Sequence, residues 1–112
     1  EVLAVDIDRG AVRAARENAA ANGLAGVIRV MEGDLARGIR GPFAFACANI
    51  LADAVIMLAE PLKPLLLPGG VLIASGIVSE RGQDVEDAFV KAGWKVIDRK
   101  REGEWLALAS EA

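Results

Sequence analysis

The chain has 112 residues, 54% of them hydrophobic, and its 13 basic and 16 acidic side chains leave a net charge of −3. This composition excludes a disordered chain, and the acidic balance argues against a nucleic-acid binder held by a basic face. One cysteine and no histidine remove intramolecular disulfides, a Cys/His zinc site and histidine-based nucleophile systems.

The length fits one domain. Surface scaling for 11.7 kDa gives roughly 5,900 Å² exposed on folding, enough burial for a real core. No apolar run approaches the ~18 residues of a membrane span. No signal peptide is expected, since the first strand is read almost at residue 1 with no basic segment before it. A lone Cys47 in the apolar run from Phe43 to Ile50 is expected to be a buried small hydrophobe in a reducing cytoplasm. Glu1 is not an initiator methionine and Val2 already belongs to a strand. A fragment or a truncated chain is the expectation.

Val2-Leu3-Ala4-Val5, ending in Asp6-Ile7-Asp8, reads as a buried parallel strand with polar residues at its carboxyl end. Asp8 is placed to cap a helix from Arg9 to Asn22, with Val12, Ala15 and Ala19 on its apolar face and Gly23 beyond its end. Val27 to Met31 is a second strand, followed by Glu32-Gly33-Asp34. Gly38, Gly41 and Pro42 mark a loop. Phe43 to Asn49 is a third strand. The two prolines in Ala52–Leu67 predict a short helix to Ala59 and a second beginning at Pro61. Pro68-Gly69-Gly70 reads as a tight turn before a fourth strand, Val71 to Ser75. Ser79 is expected to cap a helix from Glu80 to Ala92, with Val85, Ala88, Phe89 and Ala92 facing inward and Gly93 ending it. Trp94–Lys100 and Glu104–Ala109 form an expected antiparallel hairpin about Gly103. The alternation of strand and helix implies an α/β fold with a mostly parallel sheet, broken by that terminal hairpin.

In open α/β sheets, ligands bind outside the carboxyl ends of the strands. Three apolar runs here end in polar side chains, Asp6, Asp34 and Asn49, and these are expected along one edge of the sheet. A carboxylate at such a place can accept two hydrogen bonds from a ribose diol. Asp6 and Asp34 as ordinary turn residues are the competing reading, and Asn49 could equally bond its own backbone. Asp8 fits a helix cap better than a ligand.

Further motifs run the length of the chain. V-D-I-D is followed by E-N-A-x-x-N-G, E-G-D-L, A-N-I-L-A, L-x-P-G-G-x-L-I-x-S-G-I and finally G-E-W. Together they resemble PrmA, the bacterial methyltransferases that act on large-subunit ribosomal protein L11. V-D-I-D and L-x-P-G-G alone match class I methyltransferases broadly; A-N-I-L-A with S-G-I and G-E-W is more specific. The resemblance implies a Rossmann-like fold that uses S-adenosylmethionine. It implies that Asp6 holds the ribose hydroxyls, Ile7 packs beside the adenine, and Asp34 with Leu35 lies near the adenine edge. It places Asn49 beside the methyl donor, through its backbone carbonyl or its side-chain amide, where the acceptor amine arrives. Trp105 marks the family's tail, and a core aromatic is an equally good reading of it.

The chain also departs from the family. The glycine-rich strand and helix that precede V-D-I-D there, and cradle the methionine part of the cofactor, are not in these residues. Neither is the substrate-recognition domain. Arg9-Gly10 replaces the proline usual after the second aspartate. A sheet of order 3-2-1-4-5-7-6 would here lack strand 1. Its apolar edges are therefore expected to be paired or covered by another chain, with a homo-oligomer as one outcome. The chain alone is expected neither to bind S-adenosylmethionine tightly nor to catalyse transfer.

Methyl transfer to an amine needs alignment and a neutral nitrogen rather than a protein nucleophile or metal. A neutral Asn49 can accept from the amine without stabilising its ammonium form. The implied function is methylation of lysine or N-terminal amines of a ribosomal protein, with no membrane or direct nucleic-acid partner. Residues 1–112 are then part of one methyltransferase domain. The alternatives are another class I methyltransferase with a different protein or small-molecule acceptor, a non-catalytic assembly module, or a dinucleotide-binding domain, in which A-N-I-L-A has no role.

Overall fold

The computed structural model describes residues 1–112. Two compact units make up the chain, Glu1–Gly38 and Ile39–Ala112.

The first unit is a β-α-β element. Strand β1 (Val2–Asp6) leads into helix α1 (Arg9–Ala21) and returns as strand β2 (Ile28–Glu32). The two strands are parallel, with Val2 opposite Ile28 and Asp6 opposite Glu32. The Asp8 carboxylate caps α1 as expected, accepting from the Gly10 N–H at 3.1 Å. The helix stops at Asn22, and Gly23 beyond it has a positive φ of 71°. Val12 and Ala19 are buried with Val30 of β2, the inward face that the apolar spacing predicts. The Arg16 guanidinium reaches across to the Val30 carbonyl at 3.0 Å.

The second unit is a four-stranded sheet carrying two helices. Its elements are β3 (Phe43–Asn49), α2 (Ala52–Leu62), β4 (Leu66–Val78), α3 (Gly82–Lys91), β5 (Lys95–Glu102) and β6 (Trp105–Glu111). The strand order is β3-β4-β6-β5. β3 and β4 are parallel, while β6 runs antiparallel to both β4 and β5. The C-terminal hairpin is therefore antiparallel as predicted, and its second strand is the one inserted beside β4. Leu72, Ala74, Ile77 and Leu108 are buried on the sheet face that receives Val55 of α2 and Val85 and Phe89 of α3. Trp94 packs against Phe89, and its indole N–H donates to the Ala59 carbonyl at 2.7 Å inside this core.

Four local expectations are corrected. Helix α2 runs through Pro61 to Leu62 and then tightens into a 3₁₀ turn, Lys63–Leu65. Leu58, Ala59 and Leu62 are all buried, so packing carries the helix one residue past the lost donor. Pro68-Gly69-Gly70 does not break the chain before a strand but lies inside β4. The register steps from Phe43↔Leu66 to Phe45↔Val71, so Leu67–Gly70 bulge away from β3 and no ladder donor is required of Pro68. Ala112 instead donates to the Gly70 carbonyl at 2.8 Å. Ser79 caps no helix with its side chain. It opens a 3₁₀ turn, Ser79–Arg81, and its backbone N–H is taken by the Glu104 carbonyl at 2.7 Å.

The fourth correction is Cys47, which is exposed rather than buried. Side chains alternate across a strand. Ala46 and Ala48 align with Leu72 and Ala74 on the helix-bearing face, whereas Phe45 and Cys47 point with Val71 and Ile73 to the other face. No helix of this unit covers that side, and Phe45 is 57% exposed. The total accessible surface is 7306 Å², above the roughly 5,900 Å² expected for this mass. Apolar side chains left open, such as Val2, Phe45 and Ile97, contribute to the excess.

Candidate functional site

In the first unit, β1 and β2 end side by side. The Gly33 N–H donates to the Asp6 carbonyl at 2.9 Å, tying the carboxyl ends of the two strands together. Gly33 is required there: a Cβ would lie 2.8 Å from Cγ1 of Val5. The Asp6 side chain is exposed, and its Oδ1 accepts the Asp8 N–H at 2.9 Å. That bond fixes the carboxylate plane and leaves its other oxygen free to accept. Ile7 is 68% exposed, an apolar side chain held out at a strand end.

Asp34 follows two residues after Glu32, the register partner of Asp6. Its backbone carbonyl accepts from Arg37 N–H at 3.0 Å in a turn, and its side chain is exposed. The next residue, Leu35, has a φ of 53°. Left-handed backbone at a leucine costs roughly 1–3 kcal/mol, and strain of this kind clusters at functional sites. Asp6, Ile7, Asp34 and Leu35, the candidates for the nucleoside part of a cofactor, thus share the carboxyl end of one parallel strand pair.

In the second unit, Asn49 is the last residue of β3 and pairs with Ser75 of β4. The Ile50 N–H donates to the Ser75 carbonyl at 3.2 Å. Beyond this pairing an open depression of about 580 Å³ is lined by Asn49, Ile50, Leu51, Ser75, Gly76 and Trp105. Trp105 is 51% exposed. It is a wall of this depression, which corrects its reading as a core aromatic. None of the side-chain hydrogen bonds of the fold involves Asn49. Its amide can therefore both donate to and accept from a ligand.

Two features of this region have no counterpart in the sequence-based site. Gly76 has a φ of 79°, and a Cβ there would lie 2.7 Å from Oδ1 of Asn49 and 2.9 Å from the Ile50 carbonyl oxygen. The sequence offers only a glycine directly after the expected strand Val71–Ser75; the structure places it inside β4, where a lone glycine marks a bulge or a close approach. Arg81 joins the first turns of two helices. Its guanidinium bonds Asp53 of α2 at 2.7 Å and Asp84 of α3 at 3.0 Å. The bonds to Asp53 and then Asp84 raise the Arg81 pKa above its ordinary value. Distance along the chain hid this clasp, since Arg81 and Asp53 are 28 residues apart.

The model of the ribosomal protein L11 methyltransferase (PrmA) family matches residues 1–112. The ribosomal protein L11 methyltransferase of Pelotomaculum thermopropionicum is 45% identical over 109 residues, which is 97% of this chain and 35% of that protein. The chain therefore spans about a third of the length of that curated relative. The crystal structure of a ribosomal protein L11 methylase from Lactobacillus delbrueckii subsp. bulgaricus superposes with a TM-score of 0.93 at 34% identity, over 98% of this chain and 56% of that one. A tRNA methyltransferase of B. subtilis, TrmK, gives a TM-score of 0.79 at 22% identity, over 98% of this chain and 49% of that one. That likeness concerns the fold alone. With a family match over every residue, this chain belongs to the ribosomal protein L11 methyltransferase family.

Proposed function

We propose that these residues form part of one S-adenosylmethionine-dependent methyltransferase domain that methylates lysine or N-terminal amines of a ribosomal protein, L11 being the substrate named for its relatives. The observation that carries this reading is Asn49. A neutral amide with no partner in the protein stands at the end of an apolar strand, in a depression that also holds an exposed aromatic ring.

The residues present suit the cofactor. The Asp6 carboxylate is held by one backbone N–H and keeps acceptor capacity for a ribose diol. Ile7 and Leu35 offer apolar surface to a purine, and Asp34 a hydrogen-bond acceptor at its edge. When bound, S-adenosylmethionine supplies a methyl group on a positively charged sulfur, open to in-line displacement by an amine. The protein's share is orientation and solvation. The Asn49 amide oxygen accepts an N–H of the incoming amine, which directs the nitrogen lone pair. A neutral acceptor does this without the preference for ammonium that a carboxylate imposes. Trp105 and Leu51 offer apolar surface to the aliphatic stem of a lysine.

Calorimetric titration of the complete gene product with S-adenosylmethionine tests the cofactor roles. Asp6→Ala should weaken binding by about 1.5–3 kcal/mol, the scale of hydrogen bonds to a charged group. Unchanged affinity rejects the ribose role.

The setting is the cytoplasm, where a thiol exposed like Cys47 stays reduced. No helix is long and apolar enough to cross a membrane. β1 and β3 each have a ladder partner on one side alone, and neither carries a lysine or proline to discourage pairing. The 112 residues by themselves should therefore associate at micromolar concentration. A sharp monomer in sedimentation velocity would refute that.

A further inference from the structure

We infer that Gly76 is a positioning residue for the acceptor amine, acting through Asn49: its missing side chain gives the Asn49 amide oxygen its place. This rests on the proposed role of Asn49 and adds what fixes the orientation of that amide.

Hydrogen bonds do not orient it, since none reaches the Asn49 side chain. A close approach within the protein is made by Gly76. A Cβ there would stand 2.7 Å from Oδ1 of Asn49, 2.9 Å from the Ile50 carbonyl oxygen and 3.2 Å from the Ile50 nitrogen. Any other residue at this position pushes the amide away or shifts the backbone that carries it. The backbone at Gly76 is also specialised. Its φ is 79°, and the β4–β6 register shifts between Ala74 and Ile77, so Ser75 and Gly76 sit in a bulge. On the other side the β3 ladder is regular up to Asn49↔Ser75. β4 thus keeps Asn49 in register while bending the next residue beneath its side chain, the usual way in which bulges re-aim groups. Gly76 also lines the depression that Asn49 and Trp105 share. A methyl group there narrows the space for an alkyl amine and moves the acceptor oxygen. Displacements of about 1 Å cost on the order of a hundredfold in reactions governed by alignment.

The test uses the complete gene product, with S-adenosylmethionine and its protein acceptor. Gly76→Ala should lower kcat by about tenfold to a hundredfold while the Kd for S-adenosylmethionine and the circular dichroism spectrum stay unchanged. In an Asn49→Ala background the same substitution should have a clearly smaller effect, because the oxygen it displaces is gone and only the narrowing of the space and the contact with the Ile50 backbone remain. An equal loss in both backgrounds, or no loss in either, overturns the inference. Should Gly76→Ala fail to fold, the wild-type protein still decides by NMR. The Asn49 side-chain amide should be ordered and show cross-relaxation to the Gly76 α-protons, and a freely reorienting amide overturns the inference. If Asn49→Ala leaves turnover intact, the catalytic reading of Asn49 fails, and the NMR measurement separately decides whether Gly76 orients its amide.

Discussion

Replacing Trp94 with phenylalanine should destabilise the second unit by about 2–4 kcal/mol. Trp94 is 3% exposed. Its indole N–H donates to the Ala59 carbonyl at 2.7 Å. Ala59 is among the last four residues of α2, whose carbonyls have no partner within the helix. Phenylalanine keeps an aromatic neighbour for Phe89, now 5.9 Å from the Trp94 ring, but it has no donor. Leaving a buried carbonyl unpaired costs about 1–3 kcal/mol. The smaller ring leaves a cavity worth roughly 1 kcal/mol more at about 24 cal/mol per Å³. Urea unfolding followed by far-ultraviolet circular dichroism reads the sum. The midpoint should fall with the slope unchanged, the sign of lost stability rather than altered compactness. Trp105→Phe, at an exposed position, is the control and should shift stability by less than about 0.5 kcal/mol. If Trp94→Phe also costs less than about 0.5 kcal/mol, the indole does not cap α2 and the reasoning fails.

Ser110 is fully buried and its hydroxyl has no hydrogen-bond partner; Ser110→Ala should stabilise the chain by about 1 kcal/mol in the same urea assay, and a loss of stability would contradict this. Glu86 accepts hydrogen bonds from Arg99 of β5, which hold its carboxyl below its ordinary value of 4.5. Its folded pKa lies below its unfolded one, so its contribution is present above the unfolded value and is lost as pH falls through the folded value. The stability advantage of the wild type over Glu86→Gln should therefore be full near pH 6 and shrink as thermal unfolding is followed down to pH 3. A difference independent of pH would refute the assignment.

What could be read from the sequence was what local chemistry decides. The Asp8 cap, the inward face of Val12 and Ala19, and the bounds of β3 each follow from a few adjacent residues. The polar ends of the strands were equally legible, because an aspartate or asparagine after an apolar run stands out on spacing alone. The family motifs then gave Asp6, Asp34 and Asn49 their proposed roles. Long-range geometry was not legible. Pro68-Gly69-Gly70 has the chemistry of a stop, and only the irregular register against β3 shows why β4 runs through it. Cys47 looked buried because its neighbours are apolar, but burial depends on what covers a face, and a strand's own sequence does not say which face is covered. Gly76 matters through Asn49, a residue of another strand. Trp105 is equally apolar as a core residue or as the wall of a depression.

The place of β6 bears on how this chain can be made. It is the last of the six strands in sequence, yet it lies between β4 and β5 rather than at the rim of the sheet. On a ribosome, the inner edge of β4 stays unpaired until Trp105–Glu111 have emerged, some thirty residues later at about 5–20 residues per second. The β5–β6 hairpin is local in sequence and can close first, then dock as a pre-paired unit onto β4. A stop codon after Glu102 would therefore do more than trim an end. It would remove the strand that joins β5 to the rest of the sheet and leave the β4 edge open to pair with other nascent chains.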